Sequence, residues 1–447
     1  MLTRFPFRGG VALPLLVQDV QALAVEELPP APRLHVPVWQ SLNALPEIVV
    51  KHGEQVVAGQ VIAVASQGGS DLHAPLSGTV HSIMSWPHPW GGVSPAIEIE
   101  PRVHELSFSA DSGDTRWRDA APGELIRTLA SLGLVVMQGT GTGVQQALSV
   151  SAERSIDALL INAVECDGTM QLFAHFAAER AEQILQGIIL AKKIVNASQV
   201  LLVCPRGWKN KPPALVTMLA DSRFAEIKAV YCKPFYPLSN PRILLFAALR
   251  REIPSTQLPA EAGCVVLDIV TVLAFWEAVS GAVPLTRRLV LVHGPALAAP
   301  RLVRVPVGTP IGYILNACGV GDGVAKKVVV GGVLGGHAIA DVNAPVIKAT
   351  GTVYVTNQPV SVVQSHACIN CGRCLAICPI GLAPMRLYQY AAPRNLADSQ
   401  KWGISECIEC GCCAYVCPSR INIVHHIKLS KFNLAQRLKK SSGDVRV

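Results

Sequence analysis

"CIECGCCAYVCP" (407–418) places five cysteines in a short stretch, and "CINCGRCLAICP" (368–379) places four at matching positions. The first run in the chain is Cys368-x2-Cys371-x2-Cys374-x3-Cys378-Pro379, and the second is Cys407-x2-Cys410-x2-Cys413-x3-Cys417-Pro418. Of fourteen cysteines, nine lie between 368 and 417. A small secreted protein would spend such density on disulfides, but clustered cysteines in an intracellular chain point to metal. Zinc ribbons pair two CxxC units at a distance, which is a different pattern. The run seen here wraps one corner of a [4Fe-4S] cube with three thiolates and sends its fourth cysteine to a second cube. One cube is predicted to use Cys368, Cys371, Cys374 and Cys417, the other Cys407, Cys410, Cys413 and Cys378. Cys412 is left over, at a position that needs only a small side chain. The scattered Cys166, Cys204, Cys232, Cys264 and Cys318 mostly sit in apolar runs and are expected to be buried, inert thiols.

Between the runs, Pro384 can open a helix, with Met385 and Tyr388, then Leu387 and Tyr390, at i,i+3 spacing. That connection is longer than a minimal ferredoxin needs and predicts a helical two-cluster domain over 360–430. Residues 421–438 read as a terminal helix with Ile423, Ile427, Leu434 and Leu438 on one face; His425 and His426 are surface or packing residues, not ligands. The tail over 431–447 is basic. Arg420, Lys428, Lys431, Arg437, Lys439, Lys440 and Arg446 stand against Asp444, a charge that suits anionic headgroups, an acidic partner or plain solvation.

An N-terminal arm (1–33) precedes a β domain over 34–100. "HVPVWQ" (35–40) alternates, "KHGEQVVAGQVIAVA" (51–65) is strand, glycine turn, strand, and "HAPLSGTVHSI" (73–83) adds another turn and strand. The stretch His73–Val80 resembles barrel-sandwich domains of the biotinyl and lipoyl type. No lysine occurs between His52 and Glu100, so a scaffold is expected rather than a swinging arm. Residues 101–120 read as a polar linker. Strand and helix then alternate over 121–294, with strands at about 157–163, 199–205, 226–232, 263–269 and 287–294 and a helical period over 171–196. This predicts a Rossmann-like layered domain with its ligand site at the strand ends. "GLVVMQGTGTGVQQA" (133–147) sets Gly139, Gly141 and Gly143 before a helix, where backbone amides can meet a phosphate, although such a loop is more often an ordinary turn. Residues 300–355 fit a small β-grasp module of the SLBB type, with a helix near 310–319. The fold class is thus multidomain, α/β plus β.

The bulk composition agrees with several packed cores: 50% hydrophobic and 16% charged residues, at a net charge of +8. The mean hydropathy of +0.36 is high for a soluble protein. No apolar run is long enough to cross a membrane; the best, Ile269 to Trp276, is bounded by Asp268 and Glu277. The apolar stretch from Val11 to Val17 contains Pro14 and soon meets Asp19, which argues against a signal core. The expectation is a cytosolic protein attached to a membrane through other subunits. Few aromatic residues interleave with the basic ones, so nucleic acid is not an expected partner.

The order of parts resembles the C subunit of the Rnf complex, the ion-translocating ferredoxin:NAD oxidoreductase of bacterial membranes. The resemblance rests on "FRGG" (7–10), "VVKHGEQVVAGQVIA" (49–63), "HAPLSGTV" (73–80), "LVVMQGTG" (134–141), "IDALLINAVEC" (156–166), "NAPVIKATG" (343–351) and the two cysteine runs. It implies a peripheral subunit on the cytoplasmic face of the inner membrane. It also implies a hydride exchange between NADH and FMN, and single electrons passed through two cubes to a neighbouring B-type iron–sulfur subunit. Carried over, Gly139, Gly141, Gly143, Asn162 and Glu165 would lie at the FMN/NADH site.

This chain departs from the family where flavin chemistry belongs. The family's G-L-G-G-A-G-F-P-T loop reads Val136 to Val144 here, with Gln138 at a glycine position and Ala147 where a lysine would stand. N-A-A-E-C-E-P keeps Asn162, Ala163, Glu165 and Cys166, but Asp167-Gly168 replaces Glu-Pro, and "LFAHF" (172–176) follows. Y-P-x-G-x-E-K becomes "YPLSNPR" (236–242). Three changes in one pocket, beside two intact cysteine runs, predict a working relay whose FMN and NADH binding is weakened or lost; a divergent site that still holds FMN is the competing reading. The functional alternative is a soluble reductase adaptor of the cobalamin-reductase or amino-acid-reductase kind. The cobalamin type lacks the N-terminal β domain present here.

Overall fold

A computed structural model describes residues 7–14, 16–17, 20–41, 45–65, 68–102, 116–137, 141–148, 154–167, 172–321, 323–358 and 364–441, without side chains beyond 437. Gln138, Gly139 and Thr140 of the glycine loop lie outside the described residues, as does most of the polar linker.

The β domain is two facing sheets. Leu34–Pro37, Val93–Pro101, Gly78–Pro87 and Gln55–Val56 form one, and Glu47–Ile48, Val61–Val64 and Leu72–His73 the other. Alternation puts Val36, Val56, Ile62, Leu72, Val80, Ile97 and Ile99 between them, all buried. Val307, from a later part of the chain, completes this core.

The central domain is a four-stranded parallel sheet in the order Ile227–Cys232, Gln199–Pro205, Ala158–Asn162, Cys264–Asp268. Its strands are near-continuous apolar runs because helices cover both faces. The single helical period over 171–196 divides at Arg180 into Leu172–Glu179 and Ala181–Val195. Gly187 in the second helix lies so close to helix Ile269–Gly281 that a Cβ there would be 2.1 Å from the Val272 carbonyl oxygen.

The strand expected at 287–294 is not part of this sheet. Arg287–His293 instead joins a six-stranded sheet ordered Val25–Glu27, Arg301–Pro306, Arg287–His293, Thr352–Thr356, Lys327–Val330, His337–Ile339. It pairs antiparallel with Arg301–Pro306 and parallel with Thr352–Thr356. The expected boundary at 294 therefore moves to the turn after helix Ile269–Gly281. A strand buried on both faces reads the same in either sheet, and only its partners differ. The N-terminal arm supplies an edge strand here, tied by Arg301 to Glu26 and by Arg287 and Arg304 to Glu27. Helix Ile311–Ala317 covers this sheet with Ile311, Ile314 and Leu315.

The C-terminal domain is helical, as the spacing predicts. Pro384–Ala391, Leu396–Lys401 and Ile423–Ser441 enclose Leu387, Leu396, Ile404, Ile423, Ile427 and Leu434. Pro384 stands at the first helical position, where its missing N–H costs no bond.

Candidate functional site

The two cysteine segments turn alike. Each CxxC holds a non-glycine residue in the left-handed region, Asn370 at φ 53° and Glu409 at φ 57°. A left-handed glycine then opens a short helix: Gly372 before Arg373–Ile377, and Gly411 before Cys412–Tyr415. One cavity, of about 20 Å³, has Cys378, Cys407, Cys410, Cys412 and Cys413 in its wall. A second, of about 200 Å³, has Cys368, Cys371, Cys374 and Cys417. Each wall takes one cysteine from the other segment, and the inner wall also includes Cys412, which the spacing leaves over.

The cavities sit differently. The first, here called inner, abuts the central domain. Tyr236 Oη donates to the Cys410 carbonyl at 2.8 Å, and Arg242 binds the Glu406 carboxylate at 2.5 Å and its carbonyl at 3.1 Å. Ser255 Oγ adds a bond to Glu406 at 2.8 Å. The arm is laced between the two domains. Gly10 N donates to the Ile377 carbonyl at 2.9 Å, while Val11 and Tyr236 exchange both backbone bonds. A Cβ on Gly9 would be 2.4 Å from the Ile377 carbonyl oxygen, so only glycine fits. Cys412, the surplus cysteine, is fully buried in the apolar cluster that joins Val11, Tyr236 and Leu238 to the cysteine segment. The outer cavity faces solvent: residues 364–373 are all exposed, and Ile369 and Leu375 are 68% and 56% exposed.

The donor sets fit a thiolate-bound group. Burial pushes the Cys407 thiol up to about 11 and Cys413 up to about 12, so a cationic core in that cavity is what would hold them as thiolates. The scattered cysteines behave as expected of inert thiols. Cys166, Cys204, Cys264 and Cys318 are buried, Cys232 is half-buried, and burial raises all five.

The second candidate site lies at the C-terminal ends of the parallel sheet. Connectivity changes direction there between Ala158–Asn162 and Cys264–Asp268, the position that binds ligands in open parallel sheets. The polar groups at this point are turned onto the chain itself. Asn162 Oδ1 accepts from Val164 N at 2.9 Å. Glu165 accepts from Leu172 N and Phe173 N at 3.0 and 2.6 Å, and burial pushes it up to about 8. Helix Ile269–Gly281 begins here, but the Asp268 carboxylate already takes Val270 N, Thr271 N and Thr271 Oγ1. Thr271 Oγ1 in turn accepts from Met137 N at 3.0 Å, and buried Arg288 sets a guanidinium nitrogen 2.8 Å from Met137 Sδ. Gly141 and Gly143 turn their bare faces to the β domain, where a Cβ would be 3.0 Å from Gln40 O and 2.4 Å from Gly68 O. Asp167 receives Leu334 N at 3.3 Å from the six-stranded sheet's loop.

Sequence reasoning missed Tyr236, Arg242, Glu406, Glu409 and Lys431, which hold the inner segment. Glu406 and Glu409 carried a signal, since each immediately precedes a cysteine of the second run.

Three family descriptions match parts of the chain: the RnfC barrel sandwich hybrid domain over 5–103, the Nuo51 FMN-binding domain over 129–277, and the 4Fe-4S dicluster domain over 361–418. The C subunit of the ion-translocating oxidoreductase complex of Rhodobacter capsulatus is 31% identical over 98% of this chain and 84% of its own length. This chain belongs to that C-subunit family. The C subunit of the proton-translocating ferredoxin:NAD(+) oxidoreductase complex of Clostridium ljungdahlii is 28% identical over 85% of this chain and 83% of its own. The crystal structure of an NAD+-reducing [NiFe]-hydrogenase in its H2-reduced state aligns with 72% of this chain and 66% of its own, at a TM-score of 0.47 and 16% identity. Like its family, the chain combines an N-terminal barrel-sandwich domain, a mixed α/β domain of the FMN-binding type and a C-terminal dicluster domain. Its cofactors are two [4Fe-4S] clusters.

Proposed function

We propose that this chain is the electron-relay member of a membrane-associated Rnf-type complex. It passes single electrons between a donor on the NAD(H) or ferredoxin side and a neighbouring B-type iron–sulfur subunit. When bound, each cube supplies a reversible one-electron centre. The observation that carries the reading is the pair of cavities, each walled by cysteines from both segments. The chain's own residues give the relay two ends. Tyr236, Arg242 and Cys412 fix the inner cavity against the central domain. Cys368 and Cys371 lie exposed beside Ile369 and Leu375 on a face open to a partner. The central domain is read as Rossmann-like, from its strand order, and the six-stranded sheet as a β-grasp module of the SLBB type.

FMN is the group the central domain's family implies, and the described residues do not fit it. Asn162, Glu165 and the amides at the start of helix Ile269–Gly281 are taken by the chain's own hydrogen bonds. Gly141 and Gly143 pack so closely against backbone of the β domain that a side chain would have no room. We read the central site as weakened toward FMN and NADH, with a divergent site that still holds FMN as the competing reading. The protein sits peripherally on the cytoplasmic face of the inner membrane; no helix among the described residues is long and apolar enough to cross it. The N-terminal barrel-sandwich domain favours this role over a soluble cobalamin-reductase-like adaptor.

Anaerobic purification and reconstitution test the reading. The expected result is about eight irons per chain, a broad absorbance near ~400 nm, and no flavin released by acid. Stoichiometric FMN would overturn the flavin-free relay, and a colourless zinc protein would overturn the relay altogether.

A further inference from the structure

The two cysteine segments differ at the residue before each of their first two cysteines. The outer segment has Ala367 and Asn370 there; the inner has Glu406 and Glu409. A carboxylate next to a redox centre opposes the negative charge gained on reduction, and so makes reduction harder. Each inner glutamate is met by a cation from another element. Arg242, in helix Pro241–Leu249, binds Glu406. Lys431, in helix Ile423–Ser441, binds Glu409 at 2.6 Å. Both cations also donate to the segment's main chain, Arg242 to the Glu406 carbonyl and Lys431 Nζ to the Cys407 carbonyl at 2.8 Å. The buried Tyr236 hydroxyl donates to the Cys410 carbonyl. Two of the inner centre's ligand residues therefore carry a side-chain donor on their own carbonyl. The outer segment is met by a neutral group, the Ser419 hydroxyl on the Ala367 carbonyl at 2.9 Å.

We propose that Lys431 and Tyr236 are positioning residues that set the reduction potential of the inner centre and separate it from that of the outer one. They act through the ligand residues and touch no reacting atom. Lys431 cancels Glu409 and draws electron density from the Cys407 peptide, and Tyr236 does the latter at Cys410. Both effects stabilise the reduced form, in which the centre carries one more negative charge. The inference rests on the relay reading, since it presupposes a cube in the inner cavity.

The test is an EPR-monitored redox titration of the full, anaerobically reconstituted chain, with iron content measured on the same samples. Lys431→Met and Tyr236→Phe are expected to keep about eight irons and to move one of the two midpoints to more negative potential, Lys431→Met further than Tyr236→Phe. The other midpoint stays in place. Adding Glu409→Gln to Lys431→Met recovers part of the shift, because the bare carboxylate is removed. Asn370→Asp moves the other midpoint negative, and Lys428→Met moves neither. Iron content reports on the relay reading and the midpoints on this inference, so the two fail separately. If Lys431→Met loses iron, Tyr236→Phe decides, since it removes a single oxygen. Iron-replete variants with unmoved midpoints would overturn the proposal, and the donors would then serve packing alone.

Discussion

The strand ends of the central domain and the cavities of the C-terminal domain are two candidate cofactor sites in one chain, and they have opposite interiors. At the strand ends, the Glu165 carboxylate and the Asn162 amide oxygen accept from neighbouring backbone, and the helix amides donate to the Asp268 carboxylate. The cavities, by contrast, are walled largely by cysteines and apolar side chains, Cys412 among them. Residue identity alone hides this contrast. Asn162 and Glu165 match the family's pattern, yet their side chains hold a turn and the start of helix Leu172–Glu179. A donor spent on local structure costs a ligand about as much as a donor deleted, because binding must first break a bond already made.

The largest expected effect is at the cavities. Cys371→Ser should remove one cube and about half of the iron, and iron analysis with EPR checks it. Retention of both cubes would break the contrast at its open end. Next is the bridge between the domains. Arg242→Met leaves the part-exposed Glu406 carboxylate with Ser255 as its partner and should cost about 1 kcal/mol or less of domain docking, seen as an earlier unfolding step for the C-terminal domain in calorimetry.

A smaller effect is expected at Glu165, and it sharpens the closed end. Burial raises this carboxyl to about 8, against an ordinary value of 4.5. The folded form holds a proton that the unfolded form releases, so stability falls as pH rises from about 4.5 to about 8. Glu165→Gln should flatten that part of the stability–pH curve, and melting temperatures across the window would show it. His73 gives the opposite slope: burial lowers it to about 4 from 6.5, so stability falls as pH drops through that interval. Smallest of all is Cys412→Ser, which should leave both cubes and cost only packing. Loss of a cube there would refute the ligand division.

The sequence made the open site far more legible than the closed one. Cluster ligands obey a spacing rule, because one short segment must wrap a cube's corner, and each cavity wall draws cysteines from both segments, with Cys412 added to the inner one. The β domain and the four parallel strands were legible from alternation and apolar runs. Strand Arg287–His293 was misplaced because seven mostly apolar residues do not announce their neighbours; pairing with Thr352–Thr356 is a long-range fact. Arg180 divides a continuous helical period, and its backbone leaves the helical region at φ −127°. Tyr236 stood in the family's Y-P stretch and Lys431 in the basic tail, but the contact each makes is set by which carbonyl it reaches in the folded chain.

The glycine-bearing arm has a consequence for how the protein is made. Residues 9–11 emerge from the ribosome early, but one of the walls they lie between, at Ile377, is synthesised near the end. The arm is made first and seated late. Its edge strand can settle once Arg301–Pro306 appears, while its tip must wait for the iron-binding domain to fold. The arm's tip is thereby locked only when the segment bearing Ile377 has taken its place.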